Sequence, residues 1–233
     1  RSVDLILYLT LAGLGLLVLA SVILPGTRFP STTSKEFPIL QLIRIRPFVN
    51  MLAATALIQS SHAVVYSFST IHWKEIGYSE SLIGLLWAEG VIAEIMLFQF
   101  STNVLNRISP PLLITLGGFA GLVRWSILGS TDALPALFVA QALHGLTFGA
   151  VHLGAIYFIS DNIPAHISAT AQSLLSAVVM GFAIGITTMA SGALYGAIGS
   201  QAYYLMATMA AAGCLLGIQL YLGENANSEN LEN

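Results

Sequence analysis

The chain has 233 residues, of which 56% are hydrophobic and only 8% charged, far below the roughly 25% charged residues of a soluble globular domain. A net charge of −3 with no basic tract argues against nucleic acid as a partner and for a lipid bilayer as the surroundings. The single cysteine, Cys214, lies in an apolar run and cannot form an intrachain disulfide, so packing is its expected role.

A membrane span needs about 20 mainly apolar residues. The sequence predicts seven spans, at about 3–24, 48–70, 81–105, 111–129, 133–159, 168–193 and 201–222. The first is too long for the 7–15-residue apolar core of a signal peptide, and its abrupt start inside a helix suggests a piece of a longer protein. The hydrophilic stretch 25–47 divides that leading helix from a block of six, spanning 48–222. Arg28, Lys35, Arg44 and Arg46 fall in this stretch and Arg107 two spans later, which places both loops on the cytoplasmic side. The acidic segment 223–233 then returns to the cytoplasm as a tail, expected to be disordered. Paired small residues four apart (Gly117 and Gly121, Gly145 and Gly149, Gly181 and Gly185, Gly192 and Gly196, Gly213 and Gly217) predict closely packed helices.

Polar side chains interrupt five of the spans, and ionisable groups inside a bilayer are costly and usually face a cavity or a partner. In the second, Gln59, His62, Tyr66 and Ser69 recur at spacings of three, four and three, predicting one polar and aromatic helix face. The third carries Glu94 near its centre, with Trp87 two turns earlier on the same face and Glu89 about 140° away. The fourth carries Arg124, the one basic residue deep in a span. A guanidinium stays charged, so Arg124 needs a carboxylate or an anion, and Glu94 on the preceding helix is its simplest partner. In the fifth, Gln141, His144 and Thr147 fall within about 60° of His144 on a helical wheel, while His152 lies about 80° away. Gln172, Ser176, Thr187 and Thr188 repeat the pattern more weakly in the sixth. Several polar helix faces imply a shared aqueous cavity at mid-membrane, the layout of a transporter.

Rival classes find less support. There is no G-x-S-x-G elbow, no H-E-x-x-H and no histidine pair four residues apart to seat zinc, so neither a metal nor a cofactor is implied. An intramembrane hydrolase assembled between helices, or a channel or non-transporting helical scaffold, stays open as an alternative.

One helix, a basic loop and six further helices resemble the last helix of the first half, the central loop and the second half of a major facilitator superfamily transporter. The stretches SHAVVYSFSTIHWKEIGYSESLIGLLWAEGVIAEIMLF and LHGLTFGAVHLGAIYFI most resemble its phenylpropionate permease branch, which is similar to the lactose and proton symporters. The resemblance implies an all-α membrane protein, with residues 48–222 as the C-terminal six-helix bundle and the missing N-terminal half as its partner. It further implies a multi-pass protein of the inner cell membrane. Asn106, Arg107 and Ile108, together with Arg124 and His144, fall where those symporters have a loop motif, a coupling arginine and a coupling histidine. Two positions depart: their carboxylate three residues after that histidine is Thr147 here, and their carboxylate in the preceding helix falls at Val91, with Glu94 three residues later.

The expected function is therefore proton-coupled symport of a small organic solute, with an aromatic carboxylate such as phenylpropionate favoured by the resemblance. A sugar or nucleoside is the alternative substrate. Glu94, His144 and Arg124 are expected to couple the proton; Arg124, His62, Tyr66, Trp87, Gln141, His152 and Gln59 are expected to line the substrate site.

Overall fold

A computed structural model describes the backbone of residues 2–23 and 37–232, with side chains for residues 7–23 and 37–226. Every regular element among these residues is helical, as an apolar solvent requires: with no water to satisfy backbone groups, a helix bonds its own. Contacts divide the chain into two units, Arg1–Lys35 and Glu36–Asn233. The first contains α1 (Ser2–Ile23), whose described side chains are exposed along their whole length.

The second unit opens with α2 (Pro38–Arg44), a short helix with proline at its start and Leu42 buried. The end of the expected hydrophilic loop is thus helical, because Leu42 reaches the core and proline is tolerated in a first turn. Residues 25–36 of that loop, together with residue 24 of the expected leading helix, lie outside the described residues. Next come α3 (Arg46–Ser60) and α4 (Ala63–Glu75), one span broken at Ser61 and His62. Then follow α5 (Glu80–Gln99), the one-turn extension α6 (Ser101–Leu105) and α7 (Pro110–Ser130).

The next span runs from α8 (Leu134–Ala142) through a π-helical segment, Gly145–Ala150, into α9 (Val151–Asn162). A second π-helical segment, Ser176–Ala183, joins α10 (Ala165–Leu175) to α11 (Ile184–Ile198). Helix α12 (Ala202–Glu232) closes the chain. Five helical stretches are long and apolar enough to cross a bilayer: Arg46–Glu75, Glu80–Gln99, Pro110–Ser130, Leu134–Asn162 and Ala165–Ala226. The last would be about 90 Å long if straight, three bilayer thicknesses. It is divided instead at Gly199, which adopts φ 57° where the chain turns. The expected disordered tail is not what the structure shows: α12 continues through residues 223–232, a stretch without proline.

Helix α7 is the most deeply packed, lying against α12 and α9. Its glycines make that approach possible. A Cβ on Gly118 would stand 2.8 Å from the backbone of Cys214, and one on Gly217 would stand 2.7 Å from Thr115 Oγ1. The α11 glycines behave differently: around Gly185, Gly192 and Gly196 a Cβ would meet nothing within 4 Å. The close approach expected of paired glycines therefore holds for α7 and α12 and fails for α11. That helix also exposes Ile186 and Met189, and the π segment before it exposes Phe182.

Two apolar clusters occupy the ends of the bundle. One gathers Leu42, Phe48, Met51, Ile114, Phe158 and Ile163; the other gathers Val65, Trp73, Leu86, Leu128, Leu137 and Tyr203. Between them lie buried polar side chains, Gln59, Ser61, His62, Arg124, Gln141, His144 and Thr147.

Candidate functional site

Arg124, 1% exposed, is the centre of this polar layer. Its Nη1 donates to His144 Nδ1 at 3.0 Å and to Thr147 Oγ1 at 2.9 Å. Its Nη2 donates to Gln141 Oε1 at 2.9 Å, and the Gln141 amide is oriented by its own bond to the Leu86 carbonyl at 3.0 Å. One face of the guanidinium rests on the Trp125 ring, with Cζ 4.6 Å from the centroid. The buried Nε has no partner.

All three acceptors are neutral. The expected ion pair between Arg124 and Glu94 is absent, because His144 stands between them: its Nε2 lies 3.6 Å from Glu94 Oε2. The reason is close packing of α5 on the π segment. A Cβ on Gly145 would stand 2.8 Å from the Ala93 carbonyl, and Gly149 faces Glu94 Cγ. This seam brings Glu94 to one edge of the His144 ring while Arg124 reaches the other from α7.

Hydrogen positions follow from the partners. Guanidinium only donates, so His144 Nδ1 must accept, and any ring proton is on Nε2, toward Glu94. His62 has the opposite arrangement. Its Nδ1 meets the carbonyls of Ile58 and Gln59 at 3.2 and 3.1 Å, so Nδ1 donates and Nε2 accepts from Thr147 Oγ1 at 3.1 Å. The Thr147 hydroxyl therefore accepts a hydrogen bond from Arg124 and donates one to His62, with the His144 carbonyl a more distant acceptor at 3.4 Å. Thr147 is fully buried, and this role was not legible in the polar stripe that contains it.

Aromatic rings flank this centre. Tyr66, 42% exposed, stacks on His62 with centroids 5.5 Å apart and approaches Trp87 at 6.1 Å. Trp87 Nε1 donates to Thr70. Phe148, absent from the sequence-based set, stacks on His144 at 5.4 Å and on His152 at 6.4 Å. Trp125, also absent from it, presents an edge to His62 at 4.9 Å and donates to Ser61 Oγ.

The structure thus gathers Glu94, Arg124, His144, Gln141 and His62, with Tyr66, Trp87 and His152 on the flanks. It does not give the second span one continuous wet face. The break at Ser61 and His62 turns Gln59, His62 and Ser69 into the core and leaves Tyr66 open. Gln59 donates to the Phe148 carbonyl at 3.2 Å, while its Oε1 is buried without a partner. Ser69 bonds Tyr203 Oη.

Residues 4–206 match the MFS_1 like family. The chain is 38% identical over 169 residues to the "Probable 3-phenylpropionic acid transporter" of Escherichia coli (strain K12), covering 72% of this chain and 44% of that protein. It is 25% identical over 206 residues to the "Uncharacterized transporter YwbF" of Bacillus subtilis (strain 168), covering 88% of this chain and 51% of that one. The chain spans about half the length of the curated relatives it matches.

Proposed function

The chain belongs to the MFS_1 like family of major facilitator transporters, and from that premise we propose that it supplies the C-terminal bundle of a proton-coupled symporter for an aromatic carboxylate. The observation that carries this reading is the Arg124 guanidinium, buried and hydrogen-bonded only to neutral acceptors. A charge in so apolar a setting is strongly unfavourable without a counter-ion. A substrate carboxylate supplies that charge, and it enters by displacing one neutral acceptor. His144 Nδ1 is the acceptor on the side of the open Tyr66 ring, 6.5 Å away. Tyr66 and Trp87 then receive the substrate's aromatic ring, where offset or edge contacts add about 0.5–1.5 kcal/mol beyond burial.

Glu94 carries the proton. Once His144 gives up Arg124, its ring is free to bond Glu94 more closely, and the substrate's negative charge and the proton's positive charge stabilise one another at low dielectric. That reciprocal stabilisation is the coupling free energy of symport. Residues 1–24 would be the last helix of the N-terminal bundle and 25–47 the central loop. Arg44, Arg46 and Arg107 mark the cytoplasmic side of an inner cell membrane, and transport proceeds by alternating access as this bundle rocks against the missing half.

The test is uptake of labelled 3-phenylpropionate and of a labelled sugar by cells expressing the intact transporter or its Glu94→Gln variant, with and without a proton uncoupler. Uncoupler-sensitive phenylpropionate uptake that Glu94→Gln abolishes is the expected result. Phenylpropionate uptake indifferent to both uncoupler and Glu94 would refute the proton coupling, and uptake of the sugar alone would refute the substrate class.

A further inference from the structure

Beyond the outer ring platform of Tyr66 and Trp87, the same anchor carries a second set of rings. His144, Phe148 and His152 follow one another at four-residue steps, with centroids 5.4 and 6.4 Å apart and ring planes tilted by only 28° and 14°. In a regular α-helix residues four apart are already neighbours, but eight residues carry His152 about 80° past His144 and fan the three rings around the helix. The π-helical segment Gly145–Ala150 lies between them. One extra residue in its turn takes back about 100° and leaves His152 about 20° from His144. The wider turn is held from the neighbouring helix, because Gln59 Nε2 donates to the Phe148 carbonyl.

Phe148 and His152 are half-buried, unlike the enclosed His62 and Gln59. No described residue hydrogen-bonds the His152 ring nitrogens. This pair therefore offers an apolar ring face and a free polar edge, on the side of Arg124 toward Arg107 and Asn162. His144 touches both platforms, at 6.5 Å from Tyr66 and 5.4 Å from Phe148. A carboxylate held at Arg124 can thus keep its place while its ring turns from one platform to the other.

We propose that Phe148 and His152 form a second aromatic subsite, which takes the substrate's ring in the cytoplasm-facing state while the carboxylate stays at Arg124. The proposal rests on the aromatic carboxylate reading above and assigns the two platforms to opposite sides of the membrane. The experiment measures initial-rate KM for labelled 3-phenylpropionate in right-side-out and inside-out membrane vesicles carrying the intact transporter. Phe148→Leu is expected to raise KM about threefold to tenfold in inside-out vesicles and to change it less than about twofold in right-side-out ones. Tyr66→Leu should show the reverse, and Phe148→Tyr should restore the inside-out value. His152→Leu, at a less enclosed position, gives the same sided shift if Phe148→Leu proves unstable. Equal KM changes on both faces, or none in inside-out vesicles, overturn the subsite while the substrate reading stands. Absence of saturable phenylpropionate transport in the unmodified protein overturns both.

Discussion

Replacing Thr147 with valine removes one hydroxyl and almost no volume, and it breaks the two shorter bonds at the centre of the site along with a longer contact to the His144 carbonyl at 3.4 Å. Arg124 Nη1 loses an acceptor at 2.9 Å and His62 Nε2 loses a donor at 3.1 Å. A hydrogen bond to a charged group is worth about 1.5–3 kcal/mol, and a buried acceptor left unsatisfied costs about 1–3 kcal/mol. The two terms overlap because one hydroxyl serves both, so about 2–3 kcal/mol is the expected loss. Thr147→Ser keeps the hydroxyl and should stay within about 1 kcal/mol of the parent. In uptake assays of the intact transporter, about 2 kcal/mol of lost Arg124 positioning corresponds to on the order of thirtyfold in kcat/KM. The same loss should appear as a lower melting temperature of the purified protein in detergent. Thr147→Val with unchanged uptake and melting would refute the bond order from Arg124 through Thr147 to His62.

Gly145→Ala should reduce uptake and also lower the detergent melting temperature. Its Cβ would stand 2.8 Å from the Ala93 carbonyl, forcing α5 away and lengthening the contact between Glu94 and His144; parent-like uptake would show that the seam does not set that distance. Two further glycine substitutions should act with opposite signs on detergent melting temperature. Gly118→Ala places a methyl 2.8 Å from the Cys214 backbone and should cost about 1–3 kcal/mol as overpacking. Gly192→Ala meets nothing within 4 Å and should raise stability, because alanine improves on glycine in a helix interior by about 1 kcal/mol.

The helical, membrane-spanning character was legible in the sequence because a bilayer imposes a length and a composition on its spans, but seven spans were expected and five described stretches are long and apolar enough to cross. Pro110–Ser130 was expected at 111–129, and Leu134–Asn162 at 133–159. The identity of the polar layer was legible for the same reason, since Arg124, Glu94 and His144 are too costly in lipid to be there by default. Their pairing was not. Sequence adjacency of the spans made Glu94 the natural partner for Arg124, but the outcome turned on which backbones approach most closely. Gly145 and Gly149 draw α5 onto the π segment, and that approach inserts His144 between the two charges.

The placement of His152 and Phe148 was hidden for a related reason. A helical wheel advances every residue by about 100°, so it separates His144 from His152 and makes Phe148 one apolar residue among many. A π turn spends one residue without advancing the face, and no single side chain announces it. What stabilises it here is non-local: Gln59, 89 positions earlier in the chain, donates to the Phe148 carbonyl. The break at Ser61 and His62 acts in the same way on the other side of the site, because it turns His62 toward Thr147 and leaves Tyr66 at the open surface. Each local irregularity reorients one histidine, and the two histidines meet through Thr147 and Arg124. A straight pair of helices with the same residues would present two unrelated polar stripes. Two departures from regular winding convert them into one site around a single buried charge.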